Sequence, residues 1–300
     1  MLDQILTFRG EIAALVAAFL WAMATVIFGR LGRHLVPSVL NFVKGCLAIA
    51  FILMTLWLRQ AAPLGLEPGA VTLLMLSGVI GIGLGDTAYF AAVNRLGPRR
   101  ALLMEALAPP MAAILAGFFL AEQLTLDAWI GIGLTLTGVG WVISERVPQV
   151  TGTGELPSFQ SIGLGLLAAM GQATGAVLSR AALADTAVDP LWSTLLRLAA
   201  GVGTLLVLLL TVKQKQPLFK PLRSLRLLSA VAIAAFFGTY LAIWLQQTAL
   251  KYAPTGVAQT LTATSPIFVL PIAALMGDRV SSRAVLGVGV AIVGIGLLFS

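Results

Sequence analysis

Runs of about twenty apolar residues recur along the whole chain and leave little room for anything else. The apolar segments, numbered here as spans 1 to 10, are 12–29, 35–57, 70–93, 101–121, 126–143, 161–180, 191–211, 225–249, 255–276 and 283–299. A helix needs roughly 20 such residues to cross the hydrocarbon core of a bilayer. The segments are too long for strands, are rich in Ala, Leu and Gly, and show no period-two alternation. In lipid every backbone N–H and C=O must find its partner within the segment, which selects helices. The breaks carry charges, Pro and Gly, as helix ends do. The expectation is an all-α integral membrane protein with ten transmembrane helices.

Composition narrows the function classes. Of the 300 residues, 59% are hydrophobic and 10% charged, against about 25% charged in a soluble domain. The net charge is +7, but the basic residues sit between apolar segments, as in Arg95, Arg99 and Arg100 or Lys213, Lys215 and Lys220. That placement reads as membrane-edge anchoring rather than a nucleic-acid groove. The single cysteine, Cys46, lies in an apolar run, which excludes an intrachain disulfide and suggests a buried, inert thiol. The single histidine, His34, leaves almost no basis for a His/Cys metal site. Gly81-x-Gly83-x-Gly85 lies inside an apolar segment and follows no strand, so it is not a nucleotide fingerprint. No Ser-His-Asp pattern or phosphate loop is present. The expectations are therefore no cofactor, no metal and no enzymatic activity. Residues 12–29 with Ala22-Met23-Ala24 look like a secretory signal and its cleavage site. That segment has a counterpart in the second half, so it reads as a retained helix.

The halves resemble each other. Gly85 aligns with Gly238 (238 − 85 = 153), and Pro37 and Lys44 align with Pro190 and Arg197 at the same shift. Further on, Arg95-Leu96-Gly97-Pro98 matches Lys251-Tyr252-Ala253-Pro254, and Pro110, Glu122, Gly131 and Gly138 match Pro266, Asp278, Gly287 and Gly294 (278 − 122 = 156). The longest polar stretch, Ser144 to Ser161, falls between them as a linker, giving repeats at 1–150 and 151–300. A repeat of five spans re-enters the membrane from the opposite side, so the halves are expected to be inverted. Inverted repeats are a recurring plan of secondary transporters, with the substrate near the midplane.

These residues resemble the drug/metabolite transporter superfamily, in its EamA-like branch. The resemblance rests on Ala92-Val-Asn-Arg-Leu-Gly-Pro98, Pro109-Pro110, Phe118-Phe-Leu-Ala-Glu122-Gln-Leu-Thr125, Gly131 and Gly138. It rests equally on their echoes Thr248-Ala-Leu-Lys-Tyr-Ala-Pro254, Pro266, Met276-Gly277-Asp278, Gly287 and Gly294, with Trp21 in span 1. Lys44, where the repeat has Arg197, and Asp278, in place of the usual Glu, depart from the family pattern. The resemblance implies ten helices in duplicated halves and export or exchange of small metabolites in the cell (inner) membrane. Together with the placement of polar residues, it also implies a central site lined by spans 1, 3, 4, 6, 8 and 9.

Ionisable groups inside spans are costly to insert, roughly 2.5–3.5 kcal/mol each, and mark functional sites. Four stand out: Lys44, Asp86, Glu105 and Arg197. Glu105 precedes Pro109-Pro110, which should bend span 4 and free backbone carbonyls. It suits a proton- or cation-coupling site, or a salt bridge to Lys44. Asp86 has no acidic counterpart at Thr239. Lys44 and Arg197 could hold a substrate anion or snorkel toward a membrane edge. Tyr240, Trp244 and Gln247 share a face of span 8. With Trp21, Tyr89, Asn94, Gln172 and Gln259 they supply the aromatics and amides a small-molecule cavity needs. Glu122 and Asp278 read as structural. The expected partners are a small-molecule substrate, protons and membrane lipid, and no nucleic acid.

Loops after odd-numbered spans carry thirteen basic residues, including Arg30, Arg99, Arg146, Lys213 and Arg279. The N-terminus and the other loops carry only Arg9, Arg59, Arg180 and Lys251. The positive-inside rule then puts both termini outside, whereas the family resemblance implies both inside. Two other classes stay open at this stage: a membrane-embedded lipid-modifying enzyme, and a passive channel or lipid translocator.

Overall fold

The structure, a computed structural model, describes residues 7–31, 37–62, 65–96, 98–144, 159–211, 224–275 and 282–299. Among these, the helices are α1 (Arg9–Leu31), α2 (Pro37–Arg59), α3 (Pro68–Ser77), α4 (Asp86–Leu96), α5 (Pro98–Glu105), α6 (Ala108–Leu120) and α7 (Leu126–Ser144). They continue with α8 (Phe159–Leu183), α9 (Pro190–Thr211), α10 (Leu225–Ala235), α11 (Ala242–Tyr252), α12 (Thr255–Thr262), α13 (Ser265–Leu275) and α14 (Ser282–Leu297). A π-helical segment π1 (Gly78–Gly85) joins α3 to α4, and a second, π2 (Phe236–Leu241), joins α10 to α11. No strand occurs among the described residues. Seven helical stretches there are long and apolar enough to cross a membrane, and α14 is a shorter apolar helix.

The packing inverts the soluble pattern. Small residues fill the inside, such as Ala14, Ala17, Ala18 and Ala22 on α1 and Ala169, Ala173 and Ala176 on α8. Large apolar side chains face outward, among them Trp57, Phe118, Leu210, Leu286 and Val293. That is the arrangement lipid permits, because tails solvate Leu and Phe while small residues let backbones approach closely. Cys46 belongs to this outward face: it is exposed, which corrects the expectation of a buried thiol. α2 turns the cysteine away from the bundle because Lys44 and Ala48 occupy the inner side.

α7 and α14 cross through glycine. A Cβ placed at Gly138 would come within 2.5 Å of Gly287 O, and one at Gly294 within 2.5 Å of Thr135 N and 2.8 Å of Gly131 O. Gly131 meets Gly294 while Gly138 meets Gly287, so the two helices run antiparallel. Exchanging each glycine for its repeat mate (131 for 287, 138 for 294) returns the same contacts. A two-fold axis across the helix axes produces that exchange.

The same exchange holds elsewhere. α1 lies on π2, with Trp21 Nε1 donating to Gly238 O at 2.8 Å. α8 lies on π1, where a Cβ at Gly171 would come within 3.0 Å of Gly85 Cα. Gln172, next to Gly171, donates to Asp86 Oδ1 at 3.1 Å, directly after Gly85, the mate of Gly238. The π segments themselves overlap when shifted by the repeat. The spans that carry Pro109-Pro110 and Pro266 are both broken, one between Glu105 and Ala108 and the other between Thr262 and Ser265. Pro109 and Pro266 sit in the first turn of the second half-helices, where a missing N–H costs nothing.

Candidate functional site

These irregularities converge. One cavity of about 350 Å³ is lined by Ile82 of π1, Gly238 and Thr239 of π2, Ala106 and Pro109 at the first break, and Thr262 and Pro266 at the second. Widened turns and broken helices free backbone groups where the wall needs polar chemistry. All four ionisable residues singled out from the sequence line this cavity: Lys44, Asp86, Glu105 and Arg197. Trp21, Tyr89, Gln172 and Gln259 line it as well.

Asp86 is the most constrained of the four. It opens α4 directly after the π1 glycines, accepts from Gln172 Nε2 at 3.1 Å and from Asn41 Nδ2 at 3.4 Å, and lies in Coulombic range of Lys44 and Arg197. Arg197 is 2% exposed. It sits in the second turn of α9 and reaches π1, where Gly81 leaves space: a Cβ there would come within 3.1 Å of Nη2. It therefore does not snorkel to a membrane edge. Its Nε and Nη1 make no hydrogen bond among the described residues. Glu105 ends α5 at the first helix break, with no hydrogen bond or ion pair among the described residues and no bridge to Lys44.

Three other expected residues lie elsewhere. Tyr240 shares a 2.8 Å hydrogen bond with Thr55 and packs with Phe51, Phe236 and Trp244. Trp244 lies under the Arg59 guanidinium. Gln247 accepts from Ser193 Oγ at 2.8 Å. π2 rotates this face of span 8 toward α2 and α9, which regular helical periodicity does not anticipate. The side chain of Asn94 lies outside the described residues, as do His34 and Asp278. Sequence reasoning missed Asn41, Thr239 and Gln246 as wall or clamp residues. Asn41 precedes Lys44 by three positions on α2, so helical spacing alone could have found it. Reasoning also limited the wall to spans 1, 3, 4, 6, 8 and 9, whereas Lys44, Val139 and Arg197 bring in spans 2, 5 and 7.

A second polar cluster ties helix ends together away from the cavity. Arg180 Nε donates to Glu122 Oε1 at 2.6 Å, and Thr255 N donates to Glu122 Oε2 at 2.8 Å. Arg180 Nη1 donates to the Leu250 and Lys251 carbonyls at 2.9 and 2.7 Å. Lys251 Nζ donates to Val188 O at 2.6 Å, and the Arg9 guanidinium lies 3.4 Å above the Tyr252 ring. A shallower surface concavity of about 500 Å³ between α2 and Trp192 carries no ionisable lining residue.

Apolar helices, a duplicated chain and one buried polar cavity at broken helices define a multi-pass membrane transporter. The chain belongs to the EamA-like transporter family, which matches residues 8–144 and again 160–300. Among curated proteins it is similar to Protein LicB of Haemophilus influenzae, 25% identical over 149 residues. That match takes in 48% of this chain and 50% of LicB, so the chain spans about half the length of this curated relative. A solved crystal structure shares the fold, with a TM-score of 0.79 over 96% of this chain and 95% of that one at 16% identity.

Proposed function

We propose that this protein is a secondary active transporter that exports a small organic solute across the cell (inner) membrane by alternating access. The chain crosses the membrane ten times, and its five-helix repeats, 1–150 and 151–300, are inverted about an axis in the membrane plane. The antiparallel, self-exchanging contact of α7 with α14 supports the inversion, because a dyad across upright helices lies in that plane. The observation that carries the reading is the convergence of both helix breaks, both π segments and four ionisable side chains on one cavity. Substrate sites at discontinuous helices near a repeat interface are how inverted-repeat carriers are built.

The solute sits against Trp21, Tyr89, Gln172 and Gln259, and Asp86 or Glu105 is the proton-linked group. The two acids have no acidic counterparts in the other repeat, so coupling is where the halves differ. In proteoliposomes carrying a pH gradient, Glu105→Gln or Asp86→Asn removes the pH dependence of substrate flux while counterflow persists. If both substitutions leave pH-driven transport unchanged, the coupling assignment is wrong.

A further inference from the structure

The two repeats are built alike but are not in the same state. Half-helix α5, ahead of the break in span 4, is the repeat mate of α12, ahead of the break in span 9. Arg99 matches Thr255 and Ala106 matches Thr262 (262 − 106 = 156). Leu102, Leu103, Met104 and Glu105 of α5 are half-buried, and Leu102 and Glu105 line the cavity. Every residue of α12, Thr255 to Thr262, is buried. An exact dyad would bury both half-helices alike. In an inverted-repeat carrier one repeat rocks against the other around a fixed site, so the mismatch marks which face is open. α5 leaves the loop after span 3, and the cavity wall reaches Ile143, one residue from the end of α7. The cavity therefore lies toward the loops after odd-numbered spans, and α12 leads from it to the opposite face.

That way is polar but shut. Thr255 and Gln259 share a face of α12 at i, i+4, and Gln259 lines the cavity. Thr255 Oγ1 and Gln259 Nε2 make no hydrogen bond among the described residues, although the residues are only 0% and 7% exposed. Native proteins keep few such groups, each for a reason. A Cβ on Gly256 would come within 2.6 Å of Ala113 Cβ, so α12 lies hard against α6. At the far end of the stripe stands the Glu122–Arg180 pair. Glu122 follows α6 in the first repeat and holds two groups of the second, Arg180 Nε and Thr255 N at the start of α12. Arg180 in turn takes the Leu250 and Lys251 carbonyls at the end of α11. It lies eight residues beyond Gln172 on α8, about 12 Å from the cavity wall at 1.5 Å per residue. The two side chains are 16% and 15% exposed, so water reaches the pair and can replace each partner.

We propose that the Thr255–Gln259 face of α12 is the path between the cavity and the loops after even-numbered spans, and that the Glu122–Arg180 pair is the lock that keeps it shut. When the repeats exchange conformations the pair separates, α12 is wetted along Thr255 and Gln259, and α5 is buried in its place. This rests on the alternating-access reading above and adds the route and its gate.

The test reads thiol accessibility and needs no solute. In a Cys46→Ser background, Thr255→Cys and Gln259→Cys are treated with a membrane-impermeant methanethiosulfonate in intact cells and in inverted vesicles, one membrane face at a time. Asp185→Cys, exposed in the turn after α8, identifies the face of the even-numbered loops. From that face both path cysteines should be protected while the lock is intact. Glu122→Gln should speed their labelling by about tenfold or more, as loss of one charged hydrogen bond implies. Ser179→Cys is the control: Ser179 is buried next to Arg180 but turned to Ser77 of α3 at 2.8 Å, and it should stay protected. Arg180→Lys, which keeps the charge but loses the guanidinium fork, should open the path in the same way. Equal labelling of the path cysteines with and without the lock overturns the proposal, as does an equal rise at Ser179→Cys, which means general loosening. Failure of both Glu122→Gln and Arg180→Lys to fold makes the pair a clamp of the fold and overturns it too. The transport reading falls separately, on an absence of counterflow.

Discussion

Substituting Gly138 by Ala adds one methyl where α7 crosses α14, and its cost can be worked out against a control on the same helix. The new Cβ at Gly138 would sit 2.5 Å from Ala291 N and Gly287 O and 2.7 Å from Ala291 Cβ, where ordinary contact is 3.4–4 Å. Two of those atoms are backbone, so the helices must separate by about 1 Å, an overpacking cost of about 1–3 kcal/mol. At Gly133, also on α7, nothing lies within 4 Å of the added methyl. Both substitutions gain the same helix propensity, about 1 kcal/mol. That gain cancels in the comparison, so Gly138→Ala should be less stable than Gly133→Ala by the overpacking cost alone. The dyad requires the same result on α14: Gly294→Ala, whose methyl would reach within 2.5 Å of Thr135 N, should fall below Gly289→Ala, which faces open space. Thermal melting of the purified variants in detergent reads the difference as several degrees, at roughly 2–4 °C per kcal/mol. Equal melting of Gly138→Ala and Gly133→Ala would refute the glycine crossing and the symmetry argument built on it.

Glu122→Ala removes two charge-assisted hydrogen bonds, to Arg180 at 2.6 Å and to Thr255 N at 2.8 Å. At 15–16% side-chain exposure the loss should be about 2–4 kcal/mol, and an unchanged melting temperature contradicts the bridge. Cys46 faces outward, so maleimide labelling in detergent should go to completion without denaturant; protection until unfolding contradicts its placement. If the excess of basic residues in the loops after odd-numbered spans sets the orientation, the C-terminus is outside and a fused reporter active only in the cytoplasm stays dark; a bright fusion favours the inside orientation that the family resemblance implies.

Helices were legible from the sequence because lipid leaves the backbone few alternatives, and the repeat was legible because glycine and proline mark its joints. Gly131, Gly138, Gly287 and Gly294 aligned in sequence before they met in space. The break in span 4 followed from Pro109-Pro110, and Glu105 and Asp86 were readable because a buried charge is conspicuous in an apolar run. Less could be read where local geometry departs from 3.6-residue periodicity. π2 rotates Tyr240, Trp244 and Gln247 toward α2 and α9, whereas Thr239 beside them reaches the cavity. Arg197 could be read from the sequence either as holding an anion or as snorkelling to a membrane edge, because only its place on its own helix was visible. Its position against π1 depends on the space at Gly81, which belongs to another helix. Gln246 gave no signal beyond being polar, whereas Asn41 could have been found from its i, i+3 spacing to Lys44.

The central claim is that one cavity carries solute across the membrane. Counterflow in proteoliposomes tests it most directly, because only a carrier exchanges labelled solute against an unlabelled load without an ion gradient or ATP. With a solute that binds the purified protein, the account predicts trans-stimulated uptake that is lost in Arg197→Gln protein that still folds. Uptake unaffected by the internal load, or retained in full by Arg197→Gln, would contradict it.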